Sequence, residues 1–247
     1  NIDIKVHTHQ EHPFVKLTIK VKKELVALGK KVNFSDTATH LSPKEWKKML
    51  EEEEENTIIL DVRNGYEWDV GHFEKAKKLD FTTFKEFPSS IKKLKKECDP
   101  KKTRVMMYCT GGIRCEFYSP LLKEEGFEQV YQLEGGVIKY GLEEGADYWK
   151  GKLFVFDDRL VVPISDEETE KVGNCSHCKA VSETYYNCAN MDCNALFISC
   201  LKCAETLEVC CSNKCQQSPR KRKAQPSMHP KPFRKLTVDE KAKFPIA

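Results

Sequence analysis

Long apolar runs, a strong net charge and internal repeats are all missing from this sequence of 247 residues. No stretch approaches the roughly 18 to 20 consecutive apolar residues of a membrane-spanning helix, and the polar N-terminus lacks the apolar centre of a signal peptide. The net charge of +3 at pH 7 is too small to indicate a nucleic-acid partner, because local clusters of positive charge matter more than their sum. We therefore expect a cytoplasmic protein without a membrane segment.

The length and the apolar fraction of 40% are sufficient for one large or two small domains with a buried core. The first residue is Asn1 rather than methionine, so we expect a fragment that lacks an N-terminal region. The sequence contains no signal for an oligomeric state.

Cysteine is abundant, with twelve residues in the chain. Because the cytoplasm keeps thiols reduced, this number indicates metal binding or catalysis rather than disulfides. Nine of the cysteines lie between Cys175 and Cys215, whereas Cys98, Cys109 and Cys115 lie in the middle of the chain. We predict a separate role for each group.

Apolar runs alternate with helical patterns between residues 42 and 144. Ser42, Pro43 and Glu45 form an N-cap, a first-turn proline and a capping-box acid, and so predict the start of a helix. Short runs rich in β-branched or apolar residues predict buried strands at 57–62, 104–109 and 129–133, with helices at 89–97, 113–125 and 135–144. This alternation predicts an α/β fold with a parallel sheet flanked by helices. Segments 14–28 and 153–164 are also predicted to contain strands.

The loop "YCTGGIRCE" (108–116) lies between a predicted strand and a predicted helix. Unpaired N–H groups at the start of a helix favour negative charge, so a thiol at Cys109 is favoured as the nucleophilic thiolate. Gly111 and Gly112 permit the backbone conformations that such an anion cradle needs. The alternative is a buried cysteine beside an ordinary turn. For Cys115, packing is favoured over a role as a second catalytic thiol.

Three motifs resemble those of rhodanese domains over residues 39–149: "LDVRNGYEWDVGHFEKA" (60–76), "YCTGGIRCE" (108–116) and "YQLEGGVIKY" (131–140). The resemblance implies a rhodanese-like parallel sheet and an active-site loop of six residues, from Cys109 to Arg114. A loop this small suits a persulfide or a slim electrophile better than a phosphate ester, so phosphatase activity is the least favoured enzymatic function.

The flanking segments "HPFVKLTIKVKKELVALG" (12–29) and "FVFDDRL" (154–160), together with the terminal cysteines, resemble the rhodanese-type tRNA uridine hydroxylases. The resemblance implies an oxidoreductase that converts the wobble uridine of tRNA to 5-hydroxyuridine with molecular oxygen as co-substrate. It also implies that residues 1–38 are a remnant or linker of a ferredoxin-like N-terminal domain. No flavin signature adjoins the loop, so we predict no organic cofactor.

In the mechanism that we expect, Cys109 adds to carbon 6 of a flipped-out uracil and makes carbon 5 electron-rich. Arg114 and Arg63 supply fixed positive charge or brace the loop, and Asp61 is a further candidate catalytic residue. The backbone of the cradle stabilises the developing negative charge; its residues are Thr110, Gly111, Gly112 and Ile113.

Two other functions remain open. The first is a sulfurtransferase that carries sulfur as a Cys109 persulfide, because the same nucleophile and cradle serve both reactions. The second is a non-enzymatic scaffold that combines a rhodanese module with a zinc-binding segment. An intact loop with its cysteine argues against the scaffold, which has no need of a thiol there.

The cysteine-rich segment, residues 150–217, contains two Cys-x2-Cys pairs and further close pairs, which suffice for two tetrahedral zinc sites. We predict one site from Cys175, Cys178, Cys200 and Cys203. The other combines Cys188, Cys193 and Cys215 with either Cys210 or Cys211, of which we select Cys211. The expected role of zinc is structural. An iron–sulfur cluster is the less favoured alternative, and disulfides are an outcome of oxidation.

The final segment, residues 218–247, is rich in proline, lysine and arginine, and we expect a flexible basic tail. It contains "RKRK" (220–223), with Lys231, Arg234 and Lys235 beyond. Such residues bind phosphates without reading base sequence. We therefore predict that the tail contributes to tRNA binding.

Overall fold

In this computed structural model the chain is described at residues 31–79 and 84–233 and, before them, at residues 14, 19, 21, 24–26, 28 and 29. Most of the strand predicted at 14–28 therefore lies outside the described residues, as do Arg234 and Lys235.

Short strands and helices alternate along the first part of the described chain. The strands are β1 (Thr39–Leu41), β2 (Thr57–Asp61), β3 (Gly71–Phe73), β4 (Lys77–Lys78), β5 (Arg104–Tyr108), β6 (Gln129–Leu133), β7 (Trp149–Gly151), β8 (Leu153–Phe154), β9 (Val161–Val162), β10 (Tyr185–Asn187) and β11 (Leu196–Ile198). The helices are α1 (Pro43–Glu52), α2 (Gly65–Trp68), α3 (Phe87–Glu97), α4 (Ile113–Glu124), α5 (Gly136–Glu144), α6 (Leu201–Thr206) and α7 (Asn213–Gln216).

The central sheet has five strands in the order β1-β6-β5-β2-β4, and every neighbouring pair is parallel. Alternation along β5 distributes the core over both faces. Val105 and Met107 pack on one side with residues of α3 and α4, whereas Met106 and Tyr108 pack on the other with residues of α1 and α5. The predicted α/β sheet, flanked by helices on both faces, is confirmed.

Local sequence signals set the helix starts. Ser42 accepts a hydrogen bond from the Glu45 N–H, and the Glu45 side chain accepts one from the Ser42 N–H, which completes the predicted capping box. Helix α3 begins two residues before the predicted Ser89, because Pro88 occupies its first turn. Helix α4 continues across Pro120 to Glu124.

Segment 153–164 forms two strands, β8 and β9, that pair in an antiparallel hairpin. The rest of the cysteine-rich segment contributes the antiparallel pair β10–β11 and the short helices α6 and α7. An apolar cluster joins the two parts of the chain, since Val70 and Phe154 pack with Tyr185 and Ile198. The Tyr185 hydroxyl also donates a hydrogen bond to the Tyr66 carbonyl (2.5 Å).

The basic segment differs from the flexible tail that we predicted, because its described part lies against the cysteine-rich segment. Arg220 pairs with Asp192, and Lys221 with Glu208. Arg222 Nη2 donates to the Asn187 carbonyl (2.6 Å), and its guanidinium lies 4.0 Å from the centre of the Phe233 ring. The composition of this segment does not encode these partners, which come from elsewhere in the chain.

Candidate active site and metal sites

The Cys109 loop begins where β5 ends. Gly112 adopts a φ of +88° and forms the N-cap of α4, a backbone conformation that side chains other than glycine rarely adopt. This turn directs the Gly112 N–H to Cys109 Sγ at 3.1 Å. The thiol therefore lies inside a turn whose N–H groups face its sulfur.

Helix α5 holds the loop from behind. The N–H groups of Val137 and Ile138 donate to the carbonyls of Cys109 (3.0 Å) and Thr110 (3.1 Å). Gly136 makes this approach possible, because its φ is +66° and an added Cβ would lie 2.5 Å from the Cys109 carbonyl oxygen. The glycine pair in "YQLEGGVIKY" thus has a steric role at the active-site loop.

Burial alone would raise the pKa of Cys109, which is only 1% exposed. Opposing effects prevail: a hydrogen bond from the Cys115 thiol, the charge of Arg114, and backbone N–H groups of Cys115 and Arg114 together lower the pKa of Cys109 to about 5. Burial and the neighbouring Cys109 raise the pKa of Cys115. Cys109 is therefore the thiolate at neutral pH, and Cys115 is a protonated donor packed in the core.

Arg114 is held beside the loop by Glu67, a residue that we did not identify from the sequence. The Arg114 guanidinium donates to both Glu67 carboxylate oxygens, at 2.5 and 2.8 Å, and to the Thr110 hydroxyl at 3.0 Å. Burial disfavours the charged form of Glu67, but the hydrogen bonds and charge of Arg114 outweigh it and lower the Glu67 pKa. One sequence signal for Glu67 was available. It is an acid in the short helix α2, which Asn64 caps, within the motif at residues 60–76.

Asp61 and Arg63 do not reach the cradle. They form a buried ion pair in which Arg63 Nη2 lies 2.6 Å from Asp61 Oδ2, and Asp61 accepts a further hydrogen bond from the Tyr108 hydroxyl (2.7 Å). Arg63 also donates to the Gly71 carbonyl (2.6 Å). Both side chains are 1% exposed or less, and their role as catalytic residues stays a prediction.

The remaining cradle residues differ in exposure. Thr110 is buried and donates through its hydroxyl to Glu67 (2.8 Å). Gly111 has no heavy atom within 4 Å of an added Cβ, so space is open on that side. The Ile113 side chain is exposed.

Eight cysteines form two groups in which all sulfur atoms lie within 4.8 Å of one another. The first group is Cys175, Cys178, Cys200 and Cys203, and the second is Cys188, Cys193, Cys211 and Cys215. Sulfurs about 2.3 Å from a tetrahedral zinc are about 3.8 Å apart, close to the 3.7 Å between the sulfurs of Cys178 and Cys200. The residues therefore fit a metal ion, and the geometry selects Cys211. The Cys210 thiol instead faces the Glu208 carbonyl.

The fold and the loop together define a protein of the rhodanese-like class, and sequence comparison agrees. Residues 42–143 match the family described as rhodanese-like domain, and residues 150–216 match the family described as rhodanase C-terminal. Among the residues that the structure describes, every helix is too short or too polar to cross a membrane.

Curated relatives narrow the class. A protein of Chlamydia felis named tRNA uridine(34) hydroxylase is 53% identical over 242 residues, which cover 97% of this chain and 74% of that protein. Proteins with the same name from Chlamydia pneumoniae (53% identity, 97% of this chain, 74% of the relative) and Protochlamydia amoebophila (52%, 94% and 72%) are similar. The chain belongs to the tRNA uridine(34) hydroxylase family, which confirms the predicted family and its hydroxylase class.

Proposed function

We propose that this chain hydroxylates carbon 5 of the wobble uridine of tRNA, with Cys109 as the nucleophile and molecular oxygen as co-substrate. The observation that carries the proposal is the Cys109 thiol, whose pKa is lowered to about 5 beside the Arg114 charge and inside a turn of backbone N–H groups. The curated relatives carry the name of this reaction.

The Cys109 thiolate adds to carbon 6 of the flipped-out uracil, and the electron pair of the double bond moves towards carbon 5 and the carbonyl at carbon 4. Carbon 5 then bonds to one atom of molecular oxygen. A two-electron reductant, such as a dithiol, supplies two electrons and two protons, and the O–O bond breaks with release of water. Loss of the carbon 5 proton expels the Cys109 thiolate and leaves 5-hydroxyuridine.

The cradle assists both the addition and the expulsion. Backbone N–H groups of residues 110–114 stabilise the thiolate that leaves, and the fixed Arg114 charge adds to this effect. Because Cys109 is 1% exposed, its Sγ must turn outward from Gly112 to reach carbon 6. Asp61 and Arg63 act as braces beside β5, where they bind Tyr108 and the Gly71 carbonyl.

The burial of Cys109 also supports the second candidate, a sulfurtransferase. A persulfide extends the side chain by an S–S bond of about 2.05 Å, which brings the outer sulfur towards the mouth of the cradle. In that reaction thiosulfate transfers sulfur to Cys109 with release of sulfite, and cyanide accepts it as thiocyanate. Thiocyanate formation without 5-hydroxyuridine would favour this function over hydroxylation.

The decisive experiment compares Cys109→Ser with Cys98→Ser, whose thiol lies at the end of α3. With unmodified tRNA, oxygen and a dithiol, mass spectrometry of the nucleosides should show 5-hydroxyuridine for the wild type and Cys98→Ser, and none for Cys109→Ser. Labelled dioxygen should place one heavy oxygen atom in the product. Product from Cys109→Ser contradicts the nucleophile, and unlabelled product contradicts molecular oxygen as the source.

We assign structural zinc to the two four-cysteine groups, because all-thiolate tetrahedral sites of this kind stabilise small domains. We assign the covalent chemistry of the reaction to Cys109, so the role of zinc is to stabilise the segment rather than to catalyse the reaction. We also propose a cytoplasmic location, because four-cysteine metal groups and a catalytic thiol require a compartment that keeps thiols reduced.

tRNA contacts from the basic segment involve fewer residues than its composition indicates. Arg220, Lys221 and Arg222 have partners within the chain, whereas the Lys223 side chain is exposed. We propose that Lys223 and Lys231 bind phosphates of the tRNA. Removal of either contact should make the affinity for tRNA depend less steeply on salt concentration. An unchanged salt slope for Lys223→Ala with Lys231→Ala would contradict this assignment, with Lys214→Ala as the matched control.

A further inference from the structure

An exposed aromatic ring stands beside the Cys109 loop, at the turn that connects β8 and β9. Phe156 is 60% exposed, whereas its neighbours Val155 and Leu160 are buried in the same turn. Single exposed apolar residues are common on protein surfaces, so exposure by itself carries no argument. The rigidity of the turn and its position distinguish Phe156.

The turn is braced by its own hydrogen bonds. Asp157 accepts from the Arg159 backbone N–H (3.0 Å) and from Arg159 Nε (2.9 Å). Leu160 has a φ of +61°, and the Val155 N–H donates to its carbonyl (2.8 Å). Phe156 is thus presented by a fixed backbone while most of its side chain remains open to solvent.

The Phe156 ring contacts another aromatic ring and also lies near the active-site loop. Phe154 packs edge-on against Phe156, with ring centres 5.4 Å apart, and Tyr66 packs against Phe154 at 5.0 Å. The Arg114 guanidinium, held by Glu67, lies 6.0 Å from the centre of the Phe156 ring. The charge that helps to ionise Cys109 therefore lies directly beside this ring.

We propose that Phe156 stacks against the uracil that Cys109 attacks, and this inference rests on the hydroxylase function proposed above. A nucleobase that leaves its stack in an anticodon loop loses favourable contact with its neighbours, and enzymes that flip bases replace it with aromatic side chains. A rigid ring next to Arg114 offers this replacement at low entropic cost. Phe156 is therefore a substrate-binding residue that stabilises the flipped base.

We expect the loss of the Phe156 ring to lower the turnover number rather than the overall affinity for tRNA. Phosphate contacts along the tRNA determine most of the binding, whereas stacking acts on the one flipped base. Removing an aromatic platform from a base lowers its binding by roughly 10- to 100-fold. Phe156→Ala should therefore lower kcat by this factor, with a KM for tRNA within about threefold of the wild type.

The experiment compares five variants of the chain, with Phe156→Ala among them, in the 5-hydroxyuridine assay. Phe156→Tyr and Phe156→Trp should retain activity, because both present an aromatic face. Phe156→Leu keeps apolar volume without that face and should resemble Phe156→Ala. Val181→Ala, an exposed apolar residue in the cysteine-rich segment, is the control and should match the wild type. The pH midpoint of Cys109 alkylation should be the same in all of them.

Each other outcome has a distinct meaning. If the wild type forms no 5-hydroxyuridine, the proposed function fails and the stacking role falls with it. If the wild type is active and Phe156→Ala or Phe156→Leu is within twofold of it, the function stands and the stacking role is wrong. A shifted alkylation midpoint in Phe156→Ala would also overturn it, because Phe156 would then act through the loop rather than on the base.

Discussion

The Cys109 loop and the two four-cysteine groups differ in how they stabilise thiolates. In the loop one sulfur is surrounded by N–H donors, by the Cys115 thiol and by the charge of Arg114, so its thiolate is stable without any ion. In the groups, four sulfurs approach one another within 4.8 Å, and their thiolates repel unless a cation lies between them. The two regions thus differ in how many sulfur atoms share one site.

The two regions also differ in where their support comes from. The loop is held by long-range contacts to α5 and to Glu67. After β9, the cysteine-rich segment has only the short elements β10, β11, α6 and α7 around a small apolar cluster. We therefore expect it to depend on metal for its stability, in contrast to the sheet.

Metal removal should have the largest effect. Freshly reduced protein should contain two zinc ions per chain, and a chelator should unfold the cysteine-rich segment while the central sheet remains, because structural zinc contributes on the order of 10 kcal/mol to folding. Metal analysis with circular dichroism measures both. Cys178→Ser should retain one zinc and Cys98→Ser two, and less than about one zinc per chain in the wild type would refute the assignment.

Substitution of Gly136 should disable the loop without affecting the metal groups. In Gly136→Ala the new Cβ would meet the carbonyls of Cys109 and Thr110 at 2.5 and 2.6 Å, and the positive φ adds strain. We expect a loss of about 1–3 kcal/mol in stability and of about 100-fold in product formation, since small displacements of catalytic groups are costly. Thermal unfolding and nucleoside analysis measure these effects.

Gly111→Ala is the matched control for that variant. It lies in the same loop, but its added Cβ meets no heavy atom within 4 Å. Its melting temperature should therefore stay close to that of the wild type. Equal destabilisation by both variants would show that close contact between α5 and the loop is unimportant.

The smallest effect concerns the pH dependence of Cys109. Its thiolate should be half-formed near pH 5, so the rate of alkylation should rise through that pH and level off well below the range of an ordinary thiol, about 8.5. Cys115→Ala removes a donor to the thiolate and should raise the midpoint, which lowers reactivity at pH 5. Cys115→Ser retains a donor and should shift it less. An alkylation midpoint near pH 8.5 in the wild type would show that the loop does not lower the pKa of Cys109.

Much of the fold was predictable because its signals are local. Ser42, Pro43 and Glu45 specify a helix start through their own side chains. Strands β2, β5 and β6 are short apolar runs that only a sheet covered on both faces accommodates. The cysteine pairing was also accessible, because Cys-x2-Cys spacing directs two sulfurs to one ion, and the predicted groups are those that the fold brings together.

The active site was only partly predictable. Cys109 and its glycines have a local signal, but Glu67 lies 47 residues from Arg114 in the sequence, and no local pattern distinguishes it from a surface acid. Asp61 and Arg63 were predicted as catalytic residues, and the structure shows them in a buried ion pair that contacts Tyr108. Exposure depends on neighbours that are distant in sequence.

The sequence by itself determined the alternation of strands and helices in the central sheet, the turn that carries Cys109 and the two Cys-x2-Cys pairs, since each depends on residues a few positions apart. Tertiary structure decided which distant side chains contact each other. It paired Glu67 with Arg114, withdrew Asp61 and Arg63 from solvent, bound Arg222 to Asn187 and brought Phe156 beside Arg114. These are contacts between separate elements, and their geometry exists only once the sheet and the cysteine-rich segment have packed together.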